Sequence, residues 1–150
     1  GLDIQLFFER VIFNFLIGNG DAHFKNTSVS YGKNGIRLSP AYDILCSKLI
    51  IPNEDDSALS IHGKKNNLSR DDFEALAEYF KIPPRIRYEK FERQTYRIQQ
   101  HIQSSKLPND FKRRFVDIVL SRYERLRIVP WWNRGSENLF GSFFVLEFVL

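Results

Sequence analysis

Apolar positions crowd the start of the chain so densely that a helix there has almost no polar face. Residues 2–17 (LDIQLFFERVIFNFLI) are broken mainly by Glu9, Arg10 and Asn14, which predicts a helix buried on most sides. Gly18-Asn19-Gly20 ends it, because glycine just past a helix supplies the left-handed residue that closes the last turn. After Asp21–Asn26, two β-prone runs, Thr27–Tyr31 and Ile36–Ser39, flank Gly32-Lys33-Asn34-Gly35. Asn-Gly between such runs predicts a tight antiparallel hairpin, and Pro40 ends its second strand.

Further along, Ala58–His62 reads as another short strand before a polar turn at Gly63–Asn67. Ser69-Arg70-Asp71-Asp72 has capping-box spacing, and Phe73, Leu76, Ala77 and Phe80 share one face of the helix it opens. Ile82-Pro83-Pro84 closes that helix. Two more amphipathic helices follow, one on Tyr88, Phe91, Thr95, Ile98 and Ile102, the other on Phe111, Phe115, Ile118, Arg122 and Leu126. The fold class is therefore α+β and mostly α, a helical domain over residues 1–128 with a small β-hairpin. Residues 129–150, with Trp131-Trp132 and an apolar run at Phe143–Leu150, read as a separate aromatic tail, a strand or docking segment.

Composition narrows the picture. The chain has 150 residues, 43% of them apolar and 15% aromatic, enough for one sizeable core. No apolar run reaches the length that spans a bilayer. Cys46 is the only cysteine, which rules out an intrachain disulfide or a Cys-rich zinc site and fits a reducing cytoplasm. With no His positioned as its base, Cys46 reads as a buried spectator. The start, Gly1-Leu2-Asp3, lacks an initiator Met and reads as processed, tag-derived or truncated.

The net charge of +4 is unevenly spread, with twelve Lys/Arg against five Asp/Glu over residues 84–128 and four against seven over 51–83. The basic segment reads as solvated helix surface. Direct nucleic-acid binding is disfavoured, because no reader motif accompanies it.

Asp21 and Asn26 carry the chemistry. They stand in the Asp-x-x-x-x-Asn spacing of a kinase catalytic loop, where the Asp faces the substrate hydroxyl and the Asn reaches a metal ion. The hairpin returns the chain to Asp43, seventeen residues beyond Asn26, so three hard oxygen donors of the kind Mg2+ prefers can converge. The alternative is a polar loop whose Asp and Asn satisfy turn backbone. His23 either touches phosphate or orients the loop through a hydrogen bond, and Lys25 either touches phosphate or is solvated. Lys64 and Lys65 contact nucleotide or substrate, or lie idle on the surface.

The wording around these residues resembles a known family. Phe13–Asn26 (FNFLIGNGDAHFKN) followed by Leu38-Ser39-Pro40-Ala41-Tyr42-Asp43 is similar to the catalytic segment of HipA-like serine/threonine kinases of bacterial toxin–antitoxin systems, and the similarity extends over roughly residues 4–128. The resemblance implies a kinase C-lobe-like fold, with Asp21 as the catalytic-loop aspartate and Asn26 and Asp43 as ligands of Mg2+ on ATP. It implies transfer of the γ-phosphate to a protein Ser/Thr hydroxyl, and an antitoxin partner. His23 follows Asp21 instead of standing two residues before it, and Ile44-Leu45 replaces the Phe-Gly of ordinary kinases.

No Gly-rich phosphate loop occurs in the sequence, so an N-terminal kinase lobe is expected from a missing segment or another chain. Weak Mg-ATP binding by the isolated chain follows from that expectation. A non-catalytic interaction module or antitoxin-binding regulator is the competing reading. A metal-dependent hydrolase built on Asp21, His23 and Asp43 lacks further ligands at useful spacing.

Overall fold

The computed structural model describes residues 1–33 and 35–129. The first helix, α1 (Leu2–Leu16), buries Phe8, Val11, Ile12, Phe15 and Leu16, but its first turn is exposed at Leu2 and Ile4, so burial on most sides holds only for its second half. It packs against α2 (Arg70–Tyr79) and α4 (Asn109–Arg125), and α3 (Glu89–Ser104) packs against α4. Phe15 of α1 meets Phe73 of α2 with ring centroids 5.0 Å apart. Each fully buried Phe stabilises the fold by about 1.5–3 kcal/mol relative to exposure.

The end of α1 is built as the sequence predicts. Gly18 takes φ +71°, its N–H bonds the Phe15 carbonyl at 3.1 Å, and the Asn19 N–H bonds the Asn14 carbonyl at 2.8 Å. That pair of bonds is a Schellman motif. A side chain at Gly18 would crowd Ile118 and Cys46 as well as straining the backbone.

The hairpin pairs β1 (Val29–Gly32) with β2 (Gly35–Leu38) in antiparallel register, Val29 opposite Leu38 and Gly32 opposite Gly35. Asn34, the first half of the turn signal, lies outside the described residues, as does the tail from residue 130. Asp3 fastens the hairpin to α1 by accepting the Leu38 N–H at 3.0 Å and pairing with Arg37 at 3.1 Å. The Leu38 bond, helped by Arg37, lowers the Asp3 pKa.

The start of α2 follows the predicted cap, its Asp72 carboxylate accepting the Ser69 N–H at 2.9 Å. Two further expectations need correction. Ala58–His62 is not a strand; Ile61 makes an isolated bridge to Lys64 across a turn in which His62 has φ +50°. Only the second half of the predicted α4 stripe is buried, Arg122 and Leu126 together with Val116, Val119 and Tyr123, while Phe111, Phe115 and Ile118 are only partly covered. Arg122 is held inside by Asp56, whose buried carboxylate lies 2.6 Å from its Nη1, and its guanidinium sits 4.5 Å from the Phe15 ring centroid.

The basic segment is partly consumed by such internal pairs. Arg87 bonds Glu74 and Glu78, Lys90 pairs with Glu9, and Arg114 donates to the Leu49 carbonyl. No helix among the described residues is long and apolar enough to cross a membrane.

Candidate functional site

The Schellman turn delivers Asn19-Gly20-Asp21 to one end of the domain, and a single 3-10 turn at Phe24–Asn26 folds the loop back. The Asn26 Nδ2 donates to Asp43 Oδ2 at 2.7 Å and lies 3.4 Å from the Asp21 carbonyl. The residues at sequence positions 21, 26 and 43 therefore share one surface. Asp43 has φ +55°, a left-handed conformation that Asp tolerates better than most residues but that still carries strain.

His23 is tied to Asp21 twice. Its N–H bonds the Asp21 carbonyl at 2.7 Å and its Nε2 lies 3.2 Å from Asp21 Oδ1. Lys25 has an exposed side chain and gives its carbonyl to the Tyr42 hydroxyl at 3.3 Å. The cleft between α1, this loop and the Tyr42–Ile44 return is small, about 20 Å3, and is lined by Arg10, Asn14, His23, Asn26 and Asp43 among others.

Lys64 and Lys65 do not line that cleft. Lys64 places its Nζ 2.9 Å from the buried Asp72 carboxylate, beside His62 at 3.2 Å. Lys65 is exposed and its carbonyl accepts the Ser57 N–H. Cys46 is buried, and that burial pushes its thiol pKa up to about 11, which keeps it protonated and unreactive.

Several residues that position the loop carry no sequence signal of their own. The buried Asn19 side chain donates to Asn14 Oδ1 at 3.1 Å and to the Asp43 carbonyl at 3.2 Å. The Ser47 hydroxyl accepts the Gly20 N–H at 2.9 Å and bonds the Gly18 carbonyl and Glu54. A Cβ at Gly20 would run into the Asp55 carbonyl oxygen and Glu54, so the acidic 53–57 loop can lie directly on the segment leading into Asp21 only because residue 20 is glycine. Glycine and asparagine at a helix end announce a cap, and nothing local distinguishes a cap that also reaches Asp43.

Known proteins resemble this chain in sequence and in fold. The HipA-like C-terminal domain family matches residues 2–105. The chain belongs to that family. Two Sinorhizobium fredii relatives, the putative kinases Y4dM and Y4mE, are 42% and 32% identical to this HipA-like domain over 78 and 79 residues. These alignments cover 50% and 53% of the chain and 19% of each relative, so the domain spans about a fifth of their length. HipA of Shewanella oneidensis MR-1, solved with HipB and operator DNA, superposes with a TM-score of 0.69 at 23% identity over 89% of this chain and 34% of its own. That likeness establishes the α+β fold of the HipA-like domain.

Proposed function

We propose that this HipA-like domain supplies the catalytic loop and metal-ligand aspartate of a serine/threonine protein kinase that transfers the ATP γ-phosphate to a protein hydroxyl. The observation that carries the reading is the 2.7 Å contact between Asn26 and Asp43. The contact is made by the amide nitrogen, so the pair suits one Mg2+ when the Asn26 amide turns to present its Oδ1, which then stands roughly 3 Å from Asp43 Oδ2, the spacing of neighbouring oxygens on an octahedral ion.

The donor set fits that group in kind as well. Among the described residues no cluster of three or more His, Cys, Asp or Glu is placed to hold a metal, and Mg2+ is ordinarily held by one or two protein carboxylates together with substrate phosphates. When bound, it would neutralise phosphate charge. Asp21, with 53% of its side chain exposed, orients the substrate hydroxyl and takes its proton. His23 holds the Asp21 carboxylate through the 3.2 Å contact.

The cleft of about 20 Å3 is too small to grip a nucleotide. Tight ATP binding therefore calls for a cover contributed by a longer protein or another chain. The relationship to HipA, which was solved with HipB and DNA, supports a toxin–antitoxin setting with a protein antitoxin as partner.

Joining the N-terminal portion of a rhizobial putative kinase to this chain, in cis or in trans, and following transfer of labelled γ-phosphate to Ser/Thr tests the proposal. Transfer that is lost in Asp21→Asn and Asp43→Asn supports it. Transfer undiminished by either substitution, or none in any combination, sinks it in favour of a non-catalytic interaction module.

A further inference from the structure

The segment after Asp43 is laced to the end of α1 on both sides of Asn19. The Lys48 N–H bonds the Gly18 carbonyl at 3.1 Å, the Ser47 hydroxyl bonds the same carbonyl at 3.3 Å, and the Gly20 N–H bonds the Ser47 hydroxyl at 2.9 Å. Asn19 is the polar pin in this lacing. It is 2% exposed, and its Nδ2 has two acceptors, Asn14 Oδ1 within α1 and the carbonyl of Asp43 itself. Asn19 also stands two residues before Asp21, the place that His takes in the H-R-D loop of ordinary kinases.

We propose that Asn19 is a positioning residue for Asp43. Its side-chain amide anchors the Asp43 carbonyl to the rigid end of α1, holds that backbone at φ +55°, and so aims the Asp43 carboxylate at Asn26. The strain of a left-handed aspartate persists only where surrounding bonds over-determine it; Asn26 bonds the side chain of Asp43, whereas the bond from Asn19 acts on its backbone carbonyl. Asn14 completes the device by accepting the other hydrogen of the same NH2 group, which fixes the amide plane. The inference rests on the proposed metal-ligand role of Asp43 for its functional meaning. Its geometric content stands separately.

The two parts are separable by NMR on the full 150-residue chain. In the absence of metal, the Asn26 side-chain NH2 resonances report the bond to Asp43. Asn19→Ala and the near-isosteric Asn19→Asp, which keeps shape but loses the donor, should both move them toward their position in Asp43→Ala. Unmoved Asn26 resonances in a folded Asn19 variant overturn the inference, as does an equal movement in Val119→Ala, a core variant that loosens the fold without touching the pin.

Mn2+, added as a paramagnetic stand-in for Mg2+, then reads the consequence. The concentration that broadens Asn26 should rise about tenfold in both Asn19 variants, the usual cost of losing a residue that orients a metal ligand. Broadening at the wild-type concentration in those variants also overturns the inference. If Mn2+ leaves Asn26 sharp in the wild-type chain while the Asn19 variants still move its resonances, the metal-site reading fails and the positioning role stands.

Discussion

Asp56 and Asp72 sit inside the helical body with side-chain exposures of 8% and 1%, while Asp21 keeps 53% of its side chain in solvent and Asp43 is likewise exposed. The buried pair is saturated. Asp56 takes Arg122 and Arg125 at 2.6 Å each and the Leu68 N–H at 3.1 Å. Asp72 takes Lys64, His62 and both the N–H and hydroxyl of Ser69. The exposed pair is sparsely met, Asp21 by His23 and Asp43 by Asn26. A buried carboxylate left without partners either takes up a proton or costs the fold several kcal/mol. A carboxylate that keeps acceptor capacity toward water keeps it for a ligand too. Saturation therefore separates the acids that hold this fold from those available for chemistry.

Removing one partner of the most buried ion pair should produce the largest effect. Asp56→Ala leaves the Arg122 guanidinium, 5% exposed, as an unpaired charge beneath Phe15, and is expected to destabilise the domain by about 3–5 kcal/mol in chemical denaturation. Asp56→Ala with Arg122→Met should regain much of this, since the buried charge is then gone and only the partly exposed Arg125 loses its carboxylate. A loss below about 1 kcal/mol in the single variant would mean that Asp56 is not structural and would remove one side of the comparison.

Asp72 gives a smaller effect with a pH signature. Burial pushes its pKa upward, yet the Ser69 N–H, Lys64, the Ser69 hydroxyl and His62 together outweigh that and bring it down to about 2. A depressed carboxylate contributes its stability in full above its ordinary pKa of 3.8 and loses it as pH falls through about 2. Asp72→Asn should therefore cost about 1–3 kcal/mol near neutrality and flatten the decline in stability between those two pH values. An unchanged acid limb, measured by denaturation at a series of pH values, would show that the charge on Asp72 is not what the cap and the Lys64 turn depend on.

Much of this contrast was legible in the sequence, and its limits have physical causes. The end of α1 at Gly18, the cap at Ser69 and the hairpin depend on residues within a few positions of one another, where backbone chemistry is local. Asp21, Asn26 and Asp43 could be picked out because a turn and a hairpin are short enough to count across. Asp56 with Arg122 could not, because an ion pair between a loop and a helix 66 residues later leaves no periodic trace. Ala58–His62 has strand-like residues, but it has no partner strand among the described residues and closes on itself through Ile61 and Lys64. Lys64 is drawn to Asp72, which no spacing rule would have supplied. Asn19 shows the limit most sharply, since its side chain answers a carbonyl 24 residues away.

The smallest stability effect belongs to Asp21, and it tests the comparison from the other side. Asp21→Asn keeps the shape of the side chain, strands no buried charge and loosens only the contact with His23 at 3.2 Å. Its unfolding free energy should lie within about 0.5 kcal/mol of the unsubstituted chain. On the proposed function the same substitution abolishes phosphoryl transfer once a nucleotide-covering lobe is supplied. A residue that matters to turnover and not to folding is the signature of a site acid. If Asp21→Asn instead cost as much as Asp72→Asn in the same denaturation series, Asp21 would belong with the structural carboxylates, and its solvent exposure would have to be explained as something other than room for a substrate.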